Sequence, residues 1–366
     1  MTLPAATIDR SCGISGCEAD WLSSQRHEVD DDIVAFNNFA MAQGWGDGLP
    51  LIPPTQARVQ EFLIAGGRFP DELIAVLPPL RAECTVEKIA INAVMAGCTG
   101  ESMPLLCAAI EAMADPKFDL AGLNATTGSV VPALIVNGQI RNRLDIPCQA
   151  GCLGGVAGPA VAIGRAIRLI MRNVAGQLIG ATSQSVYGTP GRVAGILFGE
   201  WEERSPWAPL AERRGVQGDA VTAYGAMGTA NICDVVANSA DGFLDMIAKS
   251  MAYPGANGFL PSSAFAETLC VINPIWAEVI ARAYPRMEDV QAYIWDKCAL
   301  PIDWFRPEYR DPIGNLGRIK PDGRVHLVPS PDDVLVMVAG GEGGLHAAML
   351  HSWGTCLTVT RPVASA

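Results

Sequence analysis

Residues 83–113 constrain the fold more than any other stretch, because they are too apolar to lie on a surface. They predict two helices, at 86–96 and 104–114, separated by a turn of small residues. Ile, Val, Ala and Met occupy nearly every side of the first helix, which is typical of burial all round. Thr85 is expected to cap its start and Gly97 its end, and Pro104 suits the first turn of the second helix. This helix pair therefore belongs inside the protein.

Three polar side chains interrupt the first helix: Glu87, Lys88 and Asn92. Lys88 and Asn92 are four residues apart and share one face. A buried ammonium must find a partner or lose its proton. Lys88 therefore either pairs with a neighbouring carboxylate inside a core or belongs to a polar stripe facing a ligand cleft. Glu87 and Lys88 are candidate catalytic residues, and Asn92 is a candidate substrate-binding residue.

The composition excludes several classes of protein. The 366 residues are 49% hydrophobic and 17% charged, so the chain can bury a large core. A net charge of -12 without Lys and Arg clusters argues against binding to nucleic acid or to anionic membranes. The sequence has no long apolar run that would indicate a membrane span and no basic N-terminal leader that would indicate secretion. We therefore expect a cytoplasmic protein. Eleven cysteines, an odd number at irregular spacings, do not indicate a disulfide framework.

The pattern along the chain predicts an α/β fold made of two α/β units, with mixed or mostly parallel sheets and glycine-rich loops before helices. Residues 1–30 are expected to form an N-terminal extension, 31–210 a first α/β domain and 211–366 a second, in which strands alternate with helices. Cys12 and Cys17 in the extension are too isolated to predict a metal site. Helices are also predicted at 33–42, 59–65, 159–174, 241–251, 274–283 and 287–298, and strands at 73–77, 130–137, 192–198, 220–224, 268–272 and 334–338.

The segment 44–55, GWGDGLPLIPPT, holds Trp45 and Asp47 in a loop that its glycines and prolines keep irregular. Loops of this kind often line sites, and Asp47 is therefore a candidate catalytic carboxylate. Equally, the segment can be a rigid turn in which Asp47 caps the next element. Both interpretations remain open from the sequence.

Two further loops are candidate anion-binding sites. Thr126, Thr127 and Ser129 directly precede the buried strand predicted at 130–137. Gly154 and Gly155 precede the helix predicted at 159–174, and free amides at a helix start attract anions. Close packing of the helix on a strand would also explain these glycines. Neither loop has the spacing of a dinucleotide or P-loop motif.

A third glycine-rich loop, which includes Gly341 and Gly343, follows the strand predicted at 334–338. We expect a helix after it that carries His346, with a second anion pocket at the helix start. His346 is then a candidate base, although a structural role is the commoner one. Arg192, at the start of a predicted strand, is a candidate source of positive charge for an anion site.

Other reactive groups are weaker candidates. Cys98, Cys148 and Cys152 lie in turns or near a helix start, but none has a spacing typical of redox pairs. Carboxylates, an arginine and two indoles gather at 200–207, where they could hold an amine or form a solvated hairpin. No HExxH, GxSxG, Walker or paired CxxC motif is present, so no cofactor and no metal are predicted.

The segments 44–55, 85–98, 124–138 and 338–346 together resemble a poorly characterised bacterial family. The resemblance covers nearly all of the chain after residue 30. Members of that family resemble companions of small proteins of the UGSC (seleno)protein type. The chain also resembles the large subunit of the two-subunit enzyme that forms the aziridine ring in azinomycin-type antibiotic biosynthesis. The Cys12–Cys17 segment does not match the family pattern.

This resemblance implies a lyase-like or cyclising enzyme of secondary metabolism without a cofactor. An amine of the substrate would displace a neighbouring sulfate ester, with a small partner protein subunit in the complex and the substrate held on an amino-group carrier protein. Such chemistry needs an anion hole, a base and an enforced geometry. The glycine-rich helix starts and the hydroxyl loop are candidates for the hole, with Lys88 or Arg192 adding charge. Asp47, Glu87 or His346 would be the base.

Two alternatives of other classes remain. The first is a thiol-dependent reductase or lyase that uses Cys98 or Cys152. The second is a non-catalytic scaffold subunit for a small partner protein, which the N-terminal extension favours.

Overall fold

The computed structural model describes residues 22–263 and 265–364. Its helices are α1 Ile33–Ala42, α2 Gln56–Gly66, α3 Val86–Ala96, α4 Met103–Ala114, α5 Leu120–Ala125, α6 Ile140–Arg143, α7 Pro159–Asn173, α8 Gly191–Ala194, α9 Leu210–Arg213, α10 Ala240–Met251, α11 Pro274–Ala283, α12 Met287–Lys297 and α13 Pro307–Asn315. Its strands are β1 Leu73–Leu77, β2 Ala82–Thr85, β3 Val131–Asn137, β4 Ile196–Gly199, β5 Ala220–Cys233, β6 Thr268–Ile272, β7 Ala299–Pro301, β8 Arg324–His326, β9 Val334–Val338, β10 His346–Ser352 and β11 Val359–Pro362.

The main element is a mixed, curled sheet of seven strands, in the order β4-β3-β5-β10-β6-β9, with β11 added to β5. β3 and β4 are parallel, as are β6 and β9, whereas β5 and β10 run antiparallel to their neighbours. The order is therefore symmetric about the β5–β10 pair. Each half contains a parallel pair and one antiparallel inner strand. The predicted α/β class with a mixed sheet is confirmed.

Side chains that alternate between the two faces of the strands contribute to three separate apolar cores. In β3, Leu134 and Val136 pack in the core that also holds α3, α4 and α7, whereas Ala133 and Ile135 face the interior of the curl. In β6, Cys270 and Ile272 pack in the core of α10, α11 and α12. Successive strand side chains point to opposite faces, so the helices lie outside the curled sheet and strand side chains fill its inside. The carboxyl ends of the two outer strands, β4 and β9, come together, because the Trp201 N–H just after β4 donates to the carbonyl of Val338 at the end of β9, at 2.7 Å.

The helix pair predicted within residues 83–113 is confirmed. Only two residues of α3 are not buried, Lys88 and Ile91. The Thr85 hydroxyl accepts a hydrogen bond from the Lys88 amide at 3.4 Å, and Gly97 ends the helix with a φ of +87°. A left-handed residue at this position is easiest for glycine, which lacks a Cβ.

Two predicted elements are wrong. Residues 192–198 do not form one strand: α8 covers the first part, and Gly195, with a φ of +71°, turns the chain into the shorter β4. His346 does not lie on a helix but begins β10, which pairs with both β5 and β6. Ala, Met and Leu in this segment favour a helix locally, but pairing on two sides outweighs that preference.

The predicted boundary between residues 210 and 211 remains a prediction. Strands from both sides of it share the seven-stranded sheet, and β11 returns to pair with the first residues of β5. Residues 22–30 form a strap along α1 and α3, in which the His27 ring contacts the rings of Phe39 and Trp45. The rest of the predicted extension, including Cys12 and Cys17, lies outside the described residues. Within the described part of the chain, every helix is too short or too polar to cross a membrane.

Candidate functional site

Helix α7 carries an arginine against the short helical turn α8. Gly164 lies one turn before Arg168, on the same face of the helix. A Cβ at Gly164 would collide with the Ala194 carbonyl oxygen, so the glycine allows the turn to pack directly on the helix. This contact brings the Arg192 carbonyl within 3.2 Å of Arg168 Nε, which donates to it.

Arg168 is a buried cation without a complete set of partners. Its side chain is 7% exposed, and Nη2 donates to Gln177 Oε1. Nη1 has no hydrogen-bond partner among the described residues, although it is fully buried. Burial, followed by the positive charge of Arg192, lowers the pKa of Arg168 to about 9.

Arg192 lies beside Arg168 and is held by the loops around it. Its Nη1 donates to Ser183 Oγ at 2.9 Å, Nε to the Val130 carbonyl at 3.1 Å and Nη2 to the Gly128 carbonyl at 3.3 Å. Burial lowers its pKa as well. Within residues 22–263 and 265–364, neither guanidinium forms an ion pair with a carboxylate. The two positive charges are therefore uncompensated.

Two hydroxyl-bearing loops form the rim of this arginine pair. The Ser129 and Ser185 hydroxyls are 3.1 Å apart, and the Val186 amide donates to the Thr127 carbonyl at 3.0 Å. Thr126 Oγ1 accepts from the Gly128 amide at 3.1 Å. Thr127 itself is exposed, which places one edge of the rim in contact with solvent.

The chemistry of the pair favours a small oxyanion. A buried guanidinium without a counter-ion is costly, and an oxyanion supplies both negative charge and acceptor oxygens for its N–H groups. The same network extends to Asn124, whose backbone carbonyl accepts from Gln177 Nε2 at 3.5 Å. The buried side-chain Oδ1 of Asn124 has no hydrogen-bond partner among the described residues.

The polar residues of α3 do not reach the arginine pair through any hydrogen bond. Lys88 Nζ donates to the Glu83 carbonyl at 2.7 Å and has no carboxylate partner in the described chain. Asn92 donates to the Lys88 carbonyl and accepts from Asn173 of α7, both at 2.8 Å. Asn92 therefore ties α3 to α7, and the roles predicted for both residues in a site stay predictions.

Glu87 lies elsewhere, on the wall of a groove of about 720 Å³ between the strap, α1 and α2. Its side chain is buried and accepts hydrogen bonds from the Ser23 amide, the Ser23 hydroxyl and the Ser24 amide, at 2.9 to 3.0 Å. Trp45 lines the same groove. Because both carboxylate oxygens are occupied, Glu87 fastens the strap to α3.

Asp47 forms a buried ion pair with Arg165 of α7, with N–O distances of 2.7 and 2.9 Å. Burial favours the neutral acid, but the hydrogen bonds from Arg165 and from the Leu49 amide outweigh it and hold the pKa of Asp47 below its usual value. The loop 44–55 is thus docked on α7 by this pair. The carboxylate is ionised and already paired, which is unfavourable for a base.

The remaining glycine loops meet each other rather than the arginine pair. The Gly340 amide donates to the Cys148 carbonyl at 2.9 Å, and Gly341 packs against Ala150. No helix follows Gly343, so the anion pocket expected at a second helix start is wrong. Gly154 and Gly155 adopt positive φ angles in the turn before α7, where they reverse the chain. His346 is exposed at the start of β10, in the other half of the sheet.

The thiols are poor nucleophiles where the structure places them. Burial raises the pKa of Cys98 to about 12 and that of Cys152 to about 11. Burial also raises the pKa of Cys148, although Arg141 Nη1 is 3.8 Å from its sulfur. Thiolates are the reactive form, so few of these groups react at neutral pH.

The charged residues after β4 satisfy one another. Arg141 pairs with Glu202 at 3.2 Å and with Glu203 at 2.8 Å. Glu200 accepts from Asn137 Nδ2 and from the Leu210 amide, both at 2.7 Å, and burial raises its pKa. Unlike the Arg168–Arg192 pair, this group contains its own counter-ions, so it has no need of a charged ligand.

Sequence reasoning missed Arg168, Gln177 and Ser183. Arg192 and the loop of Thr126, Thr127 and Ser129 were named as contributors to one anion site, and the structure brings them together. No sequence signal separates Arg168 from Arg165 and Arg172 on the same helix. Comparisons with protein-family models, curated proteins and solved structures found no match. The described residues contain no group of three or more His, Cys, Asp or Glu side chains able to hold a metal.

Proposed function

We propose that the chain is a cofactor-independent enzyme that holds the departing sulfate of a small polar metabolite between Arg168 and Arg192. An amine of the same molecule displaces the sulfate and forms an aziridine. The observation that carries this proposal is the buried Nη1 of Arg168, which has no hydrogen-bond partner among the described residues. It lies next to a second guanidinium with which no described carboxylate pairs. Uncompensated buried charge is retained where a ligand of opposite charge completes it.

The proposed step balances without a cofactor. The neutral amine nitrogen donates its electron pair to the carbon that carries the sulfate, a C–N bond forms and the C–O bond breaks. The electrons of that bond leave with sulfate, whose new negative charge develops at the oxygens near the arginines. The nitrogen then loses one proton. Because no carboxylate or imidazole hydrogen-bonds to the arginine pair in the described chain, we assign that proton to water at the exposed Thr127 edge.

The proposed displacement is also accelerated by the orientation of the reacting groups. An intramolecular displacement gains when the amine, the carbon and the leaving oxygen are held in line, which is worth on the order of 7 kcal/mol. The hydroxyls of Thr126, Thr127 and Ser129 stand at the rim, where the polar body of the metabolite would lie. Their proposed role is to fix its orientation, and that of the arginines is to bind the leaving group.

The wider setting is also proposed, and it rests on the resemblance. A small partner protein would form a heteromeric complex with this chain, and an amino-group carrier protein would deliver the substrate. We propose that it acts in the cytoplasm, which the nine free thiols of the described residues favour. The thiol-dependent alternative is disfavoured, because burial raises the pKa of Cys98 and Cys152. The scaffold alternative predicts that the chain binds its partner but turns over no substrate.

Calorimetric titration with sodium sulfate tests the binding half of the proposal. We expect the unmodified protein to bind one sulfate per chain and Arg192→Gln to bind none. The matched control is Arg172→Gln on the same helix, since Arg172 donates to the Gly44 carbonyl and not to the site. Equal binding by all three proteins would contradict the proposal.

The chemical half is tested with 2-aminoethyl hydrogen sulfate, the simplest substrate with an amine beside a sulfate ester. Sulfate release is followed by ion chromatography and the aziridine by mass spectrometry, with and without the partner protein. We expect release that Arg192→Gln abolishes and Arg172→Gln retains. Sulfate binding without release under either condition would support the scaffold alternative.

A further inference from the structure

The second half of strand β5 has an open edge. β3 pairs with β5 only at residues 220–226, whereas β10 covers the opposite edge at residues 226–233. Residues 227–233 therefore have a strand on one side and, within the described chain, none on the other. An edge of this kind presents a row of backbone donors and acceptors that another strand can pair with.

The hydrogen bonds with β10 show which residues present their backbone to that edge. The Asp234 amide donates to the Leu345 carbonyl at 2.9 Å, so Asp234 faces β10. Because backbone groups alternate between the two edges of a strand, Thr229, Asn231 and Cys233 face the open side. All three side chains are exposed.

This edge lacks the charges and prolines that commonly prevent pairing. Residues 227–233, MGTANIC, contain no charge and no proline. Val235 and Val236, which follow directly, are 71% and 79% exposed, and Asp234 Oδ1 holds their loop by accepting from the Val236 and Ala237 amides. An uncharged open strand that ends in exposed valines is a surface prepared for a partner strand.

We propose that a second copy of this chain pairs with the open edge, so that the two β5 strands run antiparallel across a two-fold axis at Asn231. In this register Thr229 of each copy lies opposite Cys233 of the other. Identical uncharged strands complement each other in this way, because no like charges meet at the axis. Two seven-stranded sheets then form one continuous sheet.

The proposed pairing is confined to residues 229–233. The register of β5 against β10 shifts between Ala226 and Thr229, and Val235 and Val236 lie in the loop after the end of β5. This inference stands independently of the proposed function.

Oxidative crosslinking tests the register on the full chain. Thr229→Cys should form a disulfide with Cys233 of the second copy, because opposed residues of antiparallel strands have Cα atoms about 5.5 Å apart, within the range of disulfides. Unmodified protein, in which the two Cys233 residues lie on opposite sides of the axis, should stay uncrosslinked. Thr229→Cys combined with Cys233→Ser should also stay uncrosslinked. Absence of the disulfide in Thr229→Cys would overturn the proposed register.

The oligomeric state tests the pairing itself. Light scattering after gel filtration should give twice the 38.6 kDa chain mass for the unmodified protein. Asn231→Pro should give the single-chain mass and keep the circular dichroism spectrum of the folded protein, since the Asn231 amide faces away from β10 and proline removes only a donor to the second copy. Asn231→Lys, which places two ammonium groups at the axis, should do the same. A monomeric unmodified protein, or a dimer that survives both substitutions, would refute the proposal.

Discussion

Replacing Arg168 by methionine tests whether this arginine binds an anion or stabilises the fold. The side chain is buried, and burial lowers its pKa from the usual value of an arginine to about 9. This shift corresponds to about 5 kcal/mol of cost for keeping Arg168 charged in the folded protein. Methionine removes that cost and fills a similar volume. It also leaves the Arg192 carbonyl and Gln177 Oε1 without their donor, at about 1.5 kcal/mol each. The free energy of unfolding should therefore rise by about 2 kcal/mol, the difference between these effects.

The assay is thermal unfolding in chloride and in sulfate at equal ionic strength. In chloride, Arg168→Met should melt about 2 to 3 °C above the unmodified protein, since an unfolding entropy of roughly 2.1 cal/mol/K per residue converts a gain of about 2 kcal/mol into that shift for 366 residues. In sulfate at about 100 times Kd, the unmodified protein should gain about 2.7 kcal/mol and Arg168→Met nothing. Arg172→Met, on the same helix, should keep the full response to sulfate.

One pattern would refute the reasoning. If Arg168→Met melts several degrees lower in chloride and still responds to sulfate, Arg168 is a structural residue. The arginine pair would then not be an anion site. A stabilised variant that still responds to sulfate would place the anion elsewhere, although the cost assigned to the buried charge would stand.

Three further predictions concern the same region. Sulfate affinity should be full at pH 7 and fall as pH rises above about 9, because the pKa of Arg168 is lowered and sulfate binds the charged form of its side chain. Calorimetric titration at pH 7 and at pH 10 checks this. Equal affinity at the two pH values would contradict it. Gly164→Val should displace α8 from α7 and weaken sulfate binding at least tenfold, about 1.4 kcal/mol, in titrations where Ala160→Val on the same helix has no such effect. Asp47→Asn should lower the free energy of unfolding by about 3 kcal/mol, since it leaves Arg165 buried without a counter-ion, and should leave sulfate affinity intact. Because folding lowers the pKa of Asp47, its contribution to the free energy of unfolding is present above the unfolded pKa and is lost as pH falls. A denaturation series from pH 7 to pH 3 measures this loss. The same loss in Asp47→Asn would contradict the assignment to Asp47.

Local signals predicted the helices of ten or more residues well, whereas α13 and the shorter helices were not predicted. Thr85 and Gly97 mark the ends of α3 in the sequence because caps depend on a few neighbouring residues, and α11 matches its predicted bounds for the same reason. β10 was missed because its strand conformation depends on partners more than 70 residues away in the sequence, in β5 and β6. The class of fold could therefore be predicted, but not the order of its strands.

The candidate site shows the same division. Hydroxyls next to a buried strand were recognisable, and Arg192 was named as a source of charge. Arg165, Arg168 and Arg172 look alike in the sequence of α7, however. Asp47 neutralises the first, and the third reaches the Gly44 carbonyl. Arg168 packs beside α8, which contacts Gly164, and has no counter-ion among the described residues. No local pattern encodes that contact.

Diffraction from crystals soaked in sodium selenate tests the central claim most directly, because selenium gives an anomalous signal and selenate has the shape and charge of sulfate. The claim predicts one strong peak between Arg168 and Arg192, with a selenate oxygen about 2.8 Å from Arg168 Nη1. The claim also predicts that this peak is lost in crystals of Arg192→Gln whose structure is otherwise unchanged. Selenate bound only at other positions, with the arginine pair empty, would contradict the account.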